Sequence, residues 1–367
     1  MNNNKLNPER YLGYKSLVKY DKLTEFVNLY YRDNNSNNID LYIDISSFLL
    51  SMSHRDNVIN MDKKDDLYIS AWIINMCAHY RRFFSYRYGV YTTIFLIYRD
   101  LLDNGYMYRK VISPEYFRQV EERPDIINAI NLNISILKDM VKYIPDVEFI
   151  CTKYEFGLKF LHIKNTRNKN TRKCNKCNTS MIITNDIVNY QLAVKNENNN
   201  ICVVVPNKYN GEDITDFITA DNAIYKYLSH KKCSTTPCIV GDNNYYIPLI
   251  LAMSGFPKRN FKAIYSIQQT INSINELYNN GMIQPGTCIN IERILYLISS
   301  MYPNKVPYNK QIADRFCCLN YECQVIPFPD DLDIEPFKGI FNLYNPQAIH
   351  EVNERFFKNY QLDLNNL

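Results

Sequence analysis

The chain has 367 residues, 46% hydrophobic and 22% charged, enough to bury one large core or two moderate ones. Its formal net charge of +4 is too mild to announce a nucleic-acid binder by field alone, and no run nears the ~18 apolar residues a membrane helix needs, so no membrane partner is expected. Eleven cysteines, an odd number, beside an N-terminus (MNNNKLNPER) without an apolar signal core read as reduced thiols of a cytoplasmic protein.

Taken in order, residues 1–38 read as an N-terminal helical extension, with apolar residues from Tyr14 to Tyr31 at helical spacing. Ile39 to Ile45 (IDLYIDI) is short and rich in β-formers, which suits a buried strand ending on Asp44. The neighbouring Ser46-Ser47 leaves an N-cap as an equally good account of that acid. Leu67 to Tyr88 follows a helical pattern, and Val90 to Tyr98 (VYTTIFLIY) is a second buried strand closed by Arg99-Asp100. Strand, helix and strand with an acid at both strand ends predict a parallel sheet with a carboxylate-lined edge.

Residues 105–125 alternate basic and aromatic side chains, with Arg109, Lys110, Arg118 and Arg123 among Tyr106, Tyr108, Tyr116 and Phe117. Arginine between aromatics can hold phosphate and stack on bases, although a charge-laced surface loop has the same composition. A helix is expected over Ile126 to Tyr143, then a strand over Val147 to Cys151 leading to Glu155. Lys164 to Lys176 carries six basic residues and no acid, and reads as a loop. Cys174 and Cys177 form a lone CxxC without the second pair a zinc knuckle needs, so structural zinc is disfavoured. Ser180 onward is a strand running into Asn185-Asp186, Ile201 to Val205 is another that stops at Pro206, and Asp213 to Ser229 reads as helical turns.

Cys238 to Asn260 (CIVGDNNYYIPLILAMSGFPKRN) then joins an apolar run ending at Gly241-Asp242 to a Gly255-Phe256-Pro257 turn closed by Lys258-Arg259. An acid at a strand end lies where open α/β sheets place ligands. A glycine turn before a basic helix start suits a phosphate. Helices are expected over Ala263 to Asn279 and Asn290 to Met301, ahead of a Pro- and Cys-bearing tail with no assignment.

This stretch resembles the GDxxDNIPG…GxGxKTA signature of the flap endonuclease and 5′-exonuclease family, among the wider PIN-like nucleases. Gly241, Asp242, Ile247 and Pro248 fall on family positions, while Tyr245 stands at a second Asp and Leu249 at a Gly. Thr184, Asp186, Gln191 and Leu192 follow the family's Ser-Gly-Asp-x-Asp-x-x-Gln-Leu pattern, with Val188 at its second Asp. Glu155 is kept from E-x-D-D, where Gly157 and Leu158 replace the aspartates; Pro114 to Phe117 resembles the substrate-gripping Pro-x-Tyr-Lys core. The resemblance covers about Ile39 to Asn279.

What the resemblance implies is an α/β fold: a parallel-sheet core with helices on both faces over residues 39–250, a helical duplex-clamp region over 251–285, and a C-terminal extension over 286–367 open to a protein partner. It also implies a divalent-metal-dependent nuclease acting on structured or single-stranded nucleic acid, DNA before RNA. Asp44, Glu155, Asp186 and Asp242 would be catalytic and bind Mg²⁺ or Mn²⁺, with Asp100 supporting; clustered acids need such a cation to neutralise them. Arg109, Lys110, Arg118, Arg123, Gly255, Lys258 and Arg259 would hold nucleic acid. The missing acids leave a second reading: an inactive nuclease-fold protein that binds nucleic acid or scaffolds a viral or mobile-element complex.

Overall fold

The computed structural model describes residues 18–28, 38–53, 68–99, 107–116, 134–135, 137–138, 141, 144, 146–152, 154–170, 178–195, 199–209, 212–231, 233, 235, 246–284, 290–321 and 337–338. Alternation of side chains along β1 (Asn38–Asp44) builds two cores at once. Leu41 and Ile43 enter one, Tyr42 enters the other, and all three are fully buried. β2 (Tyr91–Arg99) repeats the pattern, with Phe95 and Ile97 beside Tyr42 and with Ile94, Leu96 and Tyr98 opposite. Strands buried on both faces are the near-continuous apolar runs visible in the sequence.

β1 pairs in parallel with β2 on one side and with β4 (Asn178–Ile183) on the other. β3 (Val147–Thr152) continues in parallel beyond β2, and β6 (Asn199–Tyr209) beyond β4. Three antiparallel strands complete the sheet: β5 (Val194–Lys195), β7 (Glu212–Ile218) and β8 (Phe337–Lys338). The order is β5-β6-β4-β1-β2-β3-β8, with β7 on β6.

Helices cover both faces. On the Leu41 and Ile43 side lie α1 (Tyr20–Phe26), α2 (Ile45–Ser53) and α3 (Tyr68–Arg81), which widens into a π turn over Arg82–Arg87. On the Tyr42 side the long helix after β3, Phe156–Asn170, sends Phe160 edge-on to the Tyr42 ring at 4.7 Å. With α4 at Met107–Ile112 this helix is α5. The same core then continues through α6 (Ala223–His230), α7 (Tyr246–Ser254), α8 (Ile267–Asn279), α9 (Ile291–Met301) and α10 (Asn309–Leu319) as far as Tyr321. The helices beyond Asn279 therefore pack on the sheet's own core. α8 starts on a capping box, Ser266 with Gln269, and α9 on the Asn290 cap, each satisfying free N–H groups of the first turn.

Several expectations change. Asp213 to Ser229 is not helical turns throughout: its first part is β7, hydrogen-bonded along β6 from Tyr209↔Glu212 to Val203↔Ile218. Pairing with β6, the longest strand among the described residues, overrides the local charge pattern. The β6 run does not stop at Pro206; it continues beyond Val204, the last residue paired to β4, into a two-stranded ribbon with β7, where a missing donor is tolerated. Of the loop expected over Lys164 to Lys176, the part up to Asn170 is helical, because α5 extends through a buried Lys164 whose Nζ donates to Ser180 Oγ at 2.6 Å; residues 171–176 lie outside the described residues. The apolar run from Ile247 is the buried helix α7. The strand expected over Cys238 to Val240 lies outside the described residues. So does most of the helix expected over Ile126 to Tyr143, of which Ile134, Leu137 and Val141 are helical and buried.

Candidate functional site

The chain leaves β1 through β2 and β3, then returns to the other side of β1 as β4. Such a reversal opens a crevice beyond the carboxyl ends of the two strands flanking it, here β1 and β4. Asp44 closes β1, and Thr184, Asn185 and Asp186 follow β4, so the sheet itself delivers two of the candidate acids to one edge.

Asp44 is 3% exposed and fully engaged. Its Oδ1 accepts the Ser47 backbone N–H at 3.1 Å, which makes it the cap of α2; its Oδ2 accepts the Thr184 hydroxyl at 2.9 Å and Asn189 Nδ2 at 3.1 Å. The Thr184 oxygen in turn accepts the Asp186 N–H at 3.0 Å, linking the two acids. Asp186 caps the 3₁₀ turn Ile187–Leu192 through Val188 N at 3.2 Å, and its Oδ2 accepts Arg259 Nη2 at 2.6 Å.

Glu155 precedes α5 and is buried beside two arginines. Its Oε1 accepts the Tyr116 hydroxyl at 2.6 Å, with Arg99 Nη1 at 3.8 Å, and its Oε2 pairs with Arg109 Nη2 at 2.9 Å. The Tyr116 ring lies under both Arg109 (5.6 Å) and Arg259 (6.0 Å). Burial works against the Arg259 charge. The phenol of Tyr116, then Asp186, Glu155 and Tyr321, outweigh it and raise the guanidinium above its ordinary range. Tyr321 is pushed well above the usual phenol value, first by burial, then by Glu155 and Asp186, with Arg109 and Arg259 pulling back. Both acids and both arginines thus share one buried neighbourhood around Tyr321.

A magnesium or manganese ion asks for hard oxygen ligands in a near-octahedral shell. Every oxygen of Asp44, Glu155 and Asp186 already accepts an N–H or O–H from the protein. The charge such an ion would supply is supplied by Arg109 and Arg259. These residues, as arranged, do not fit the ion, and among the described residues no group of three His, Cys, Asp or Glu is placed to hold one.

The expected nucleic-acid grip divides likewise. Arg109 and Arg259 face inward, 2% and 4% exposed. Lys258 is exposed and Lys110 half-buried. Gly255 does not open a phosphate cradle ahead of a helix. It ends α7 at φ +87°, and an added Cβ would sit 2.6 Å from the Ala263 nitrogen. The turn after it closes on itself through the Phe256–Phe261 bridge. Asp100, Arg118, Arg123, Asp242 and the Cys174–Cys177 pair lie outside the described residues.

Four further residues complete the site: Arg99, Asn189, Tyr116 and Tyr321. Tyr116 sits in the basic, aromatic segment, where its place before Phe117 was visible. Asn189 is one of many asparagines, and Tyr321 falls in the unassigned tail, so neither carries a signal of its own. Compared with known protein families and with curated proteins, the chain matches none.

Proposed function

We propose that this chain is a catalytically inactive member of the PIN-like, flap-endonuclease lineage that binds nucleic acid or scaffolds a viral or mobile-element complex. The observation that carries the reading is the pairing of Asp186 with Arg259 at 2.6 Å and of Glu155 with Arg109 at 2.9 Å. Metal-dependent phosphodiester hydrolysis needs a cation that acidifies water. A guanidinium neutralises the acids but holds its protons far above neutral pH and cannot take that part. The lineage is supported by the motif order and by Asp44, Thr184 and Asp186 meeting at the switch point. A nucleic-acid partner, DNA before RNA, is supported by the family resemblance and by the exposed Lys258.

A second reading, an active nuclease, is favoured by one feature: the Thr184 hydroxyl donates to Asp44 Oδ2 and accepts the Asp186 backbone N–H, which keeps the two residues at one strand-end edge. Labelled flap DNA and RNA incubated in Mn²⁺ separate the two, alongside an Asp186→Asn/Asp242→Asn variant. Retention of the nucleic acid without cleavage is the expected result. Cleavage that the double variant loses would instate the enzyme.

A further inference from the structure

Tyr321 reaches the strand-end edge where Asp44 and Asp186 lie. Tyr321, just past α10, is 6% exposed. Its ring lies so close over Gly157 that a Cβ there would stand 2.0 Å from Cε2. Its hydroxyl donates to Asn189 Oδ1 at 2.8 Å, and Asn189 holds Asp44 with its other end. Its backbone N–H donates to Gln191 Oε1 at 3.1 Å, while Gln191 Nε2 donates to the Leu319 carbonyl at 2.8 Å. A glycine in the first turn of α5 costs helix stability against alanine. At this position it leaves the space the phenol ring fills.

We propose that Tyr321 is an intramolecular plug, and that nucleic acid entering the strand-end crevice competes with it. The proposal rests on the nucleic-acid reading above. The phenol covers Gly157, two residues from Glu155, and its hydroxyl binds Asn189, which holds Asp44. Its seat, Asn189 and Gln191, belongs to the turn that Asp186 caps. Withdrawing the ring frees Asn189 and uncovers both acids with their arginines. By linkage, a ligand there then weakens the docking of Tyr321 by the factor by which the plug weakens the ligand.

The test is anisotropy of a fluorescein-labelled single-stranded DNA with the full chain at low salt in EDTA. A plug that leaves about a tenth of molecules open lowers apparent affinity about tenfold. Tyr321→Ala is therefore expected to bind about tenfold tighter than the unsubstituted chain. Gly157→Ala, which ejects the ring, should do the same, and Tyr321→Phe, which keeps the ring and loses only the Asn189 bond, should fall between. Equal or weaker binding by folded Tyr321→Ala and Gly157→Ala overturns the plug. Should either fail to fold, hydrogen exchange in the unsubstituted chain decides: the Tyr321 amide must exchange faster when the DNA is added, and an unchanged rate overturns the proposal. Equal binding by all forms removes the plug alone, whereas no binding by any form removes the nucleic-acid reading with it.

Discussion

Replacing Arg259 by Met is the sharpest probe of the site, because it keeps an apolar stem against Tyr116 and Phe256 and deletes the charge. The guanidinium is 5.4 Å from the Phe256 ring, 6.0 Å from that of Tyr116, and 2.6 Å from Asp186. The ring contacts of the guanidinium go with it, but the larger cost falls on Asp186, whose side chain is 15% exposed. Breaking a buried pair from one side costs about 3–5 kcal/mol. Partial access of water to Asp186 lowers this to about 2–4 kcal/mol. Asp186→Asn in the same background removes the orphaned charge while its amide oxygen can still accept Val188 N–H. The double variant is therefore expected to regain about half or more of the loss. Urea unfolding of both single variants and the double one measures the coupling. A single-variant cost below about 1 kcal/mol, or a double-variant cost equal to the sum, would refute the view that Arg259 is the counter-ion of this acid.

Three further outcomes follow from the same structure. Gly255→Ala forces a side chain into a left-handed conformation against the Ala263 and Phe261 backbones, and should cost about 3 kcal/mol or more, read as a fall in melting temperature. His79 has its pKa lowered, by burial first, with the Val18 carbonyl opposing and Arg82 adding to the shift. Its contribution to stability is full above the unfolded value of about 6.5 and is lost as pH falls through the lower folded value. His79→Gln should flatten that part of the stability–pH curve, and an unchanged curve would refute the assignment. Burial pushes the thiols of Cys77 and Cys318 up to about 12 and that of Cys202 higher still. Iodoacetamide at pH 8 should therefore spare these three in the native protein and label the half-buried Cys233 and Cys317, as read by peptide mass spectrometry.

The central sheet was legible because its strands are buried on both faces: apolar, β-branched runs such as VYTTIFLIY admit few other readings. β7 was missed although a cue stood beside it. Asn210-Gly211 lies between Tyr209 and Glu212, which pair directly, and this dipeptide between β-forming runs is the strongest local hairpin signal. The acids at β1 and β4 were legible because a strand end fixes where a side chain can go. Their partners were not, since Arg109 and Tyr116, some forty residues before Glu155, meet it only in the folded chain. Arginines near aromatics in sequence suggest a nucleic-acid grip; burial at 2% and 4% turns the same residues into counter-ions.

The helices past Asn279, outside the family resemblance, finish the site physically. Arg315 on α10 is 1% exposed; its Nη2 donates to Glu115 at 2.8 Å, its Nε bonds the other oxygen of that acid, and its Nη1 donates to the carbonyls of Ala252 and Lys262. Glu115 stands next to Tyr116, the hydroxyl donor to Glu155. One guanidinium therefore ties Glu115, α7 and the turn after α7 to α10. Tyr321, two residues past that helix, reaches Asn189 and through it Asp44. The carboxylates at the sheet edge are thus held from three sides by elements distant in sequence. Loosening α10, for instance by Glu115→Gln, is expected to disturb the Glu155 and Asp44 environments together; an effect confined to the Glu155 side, read by side-chain NMR, would break this chain of contacts.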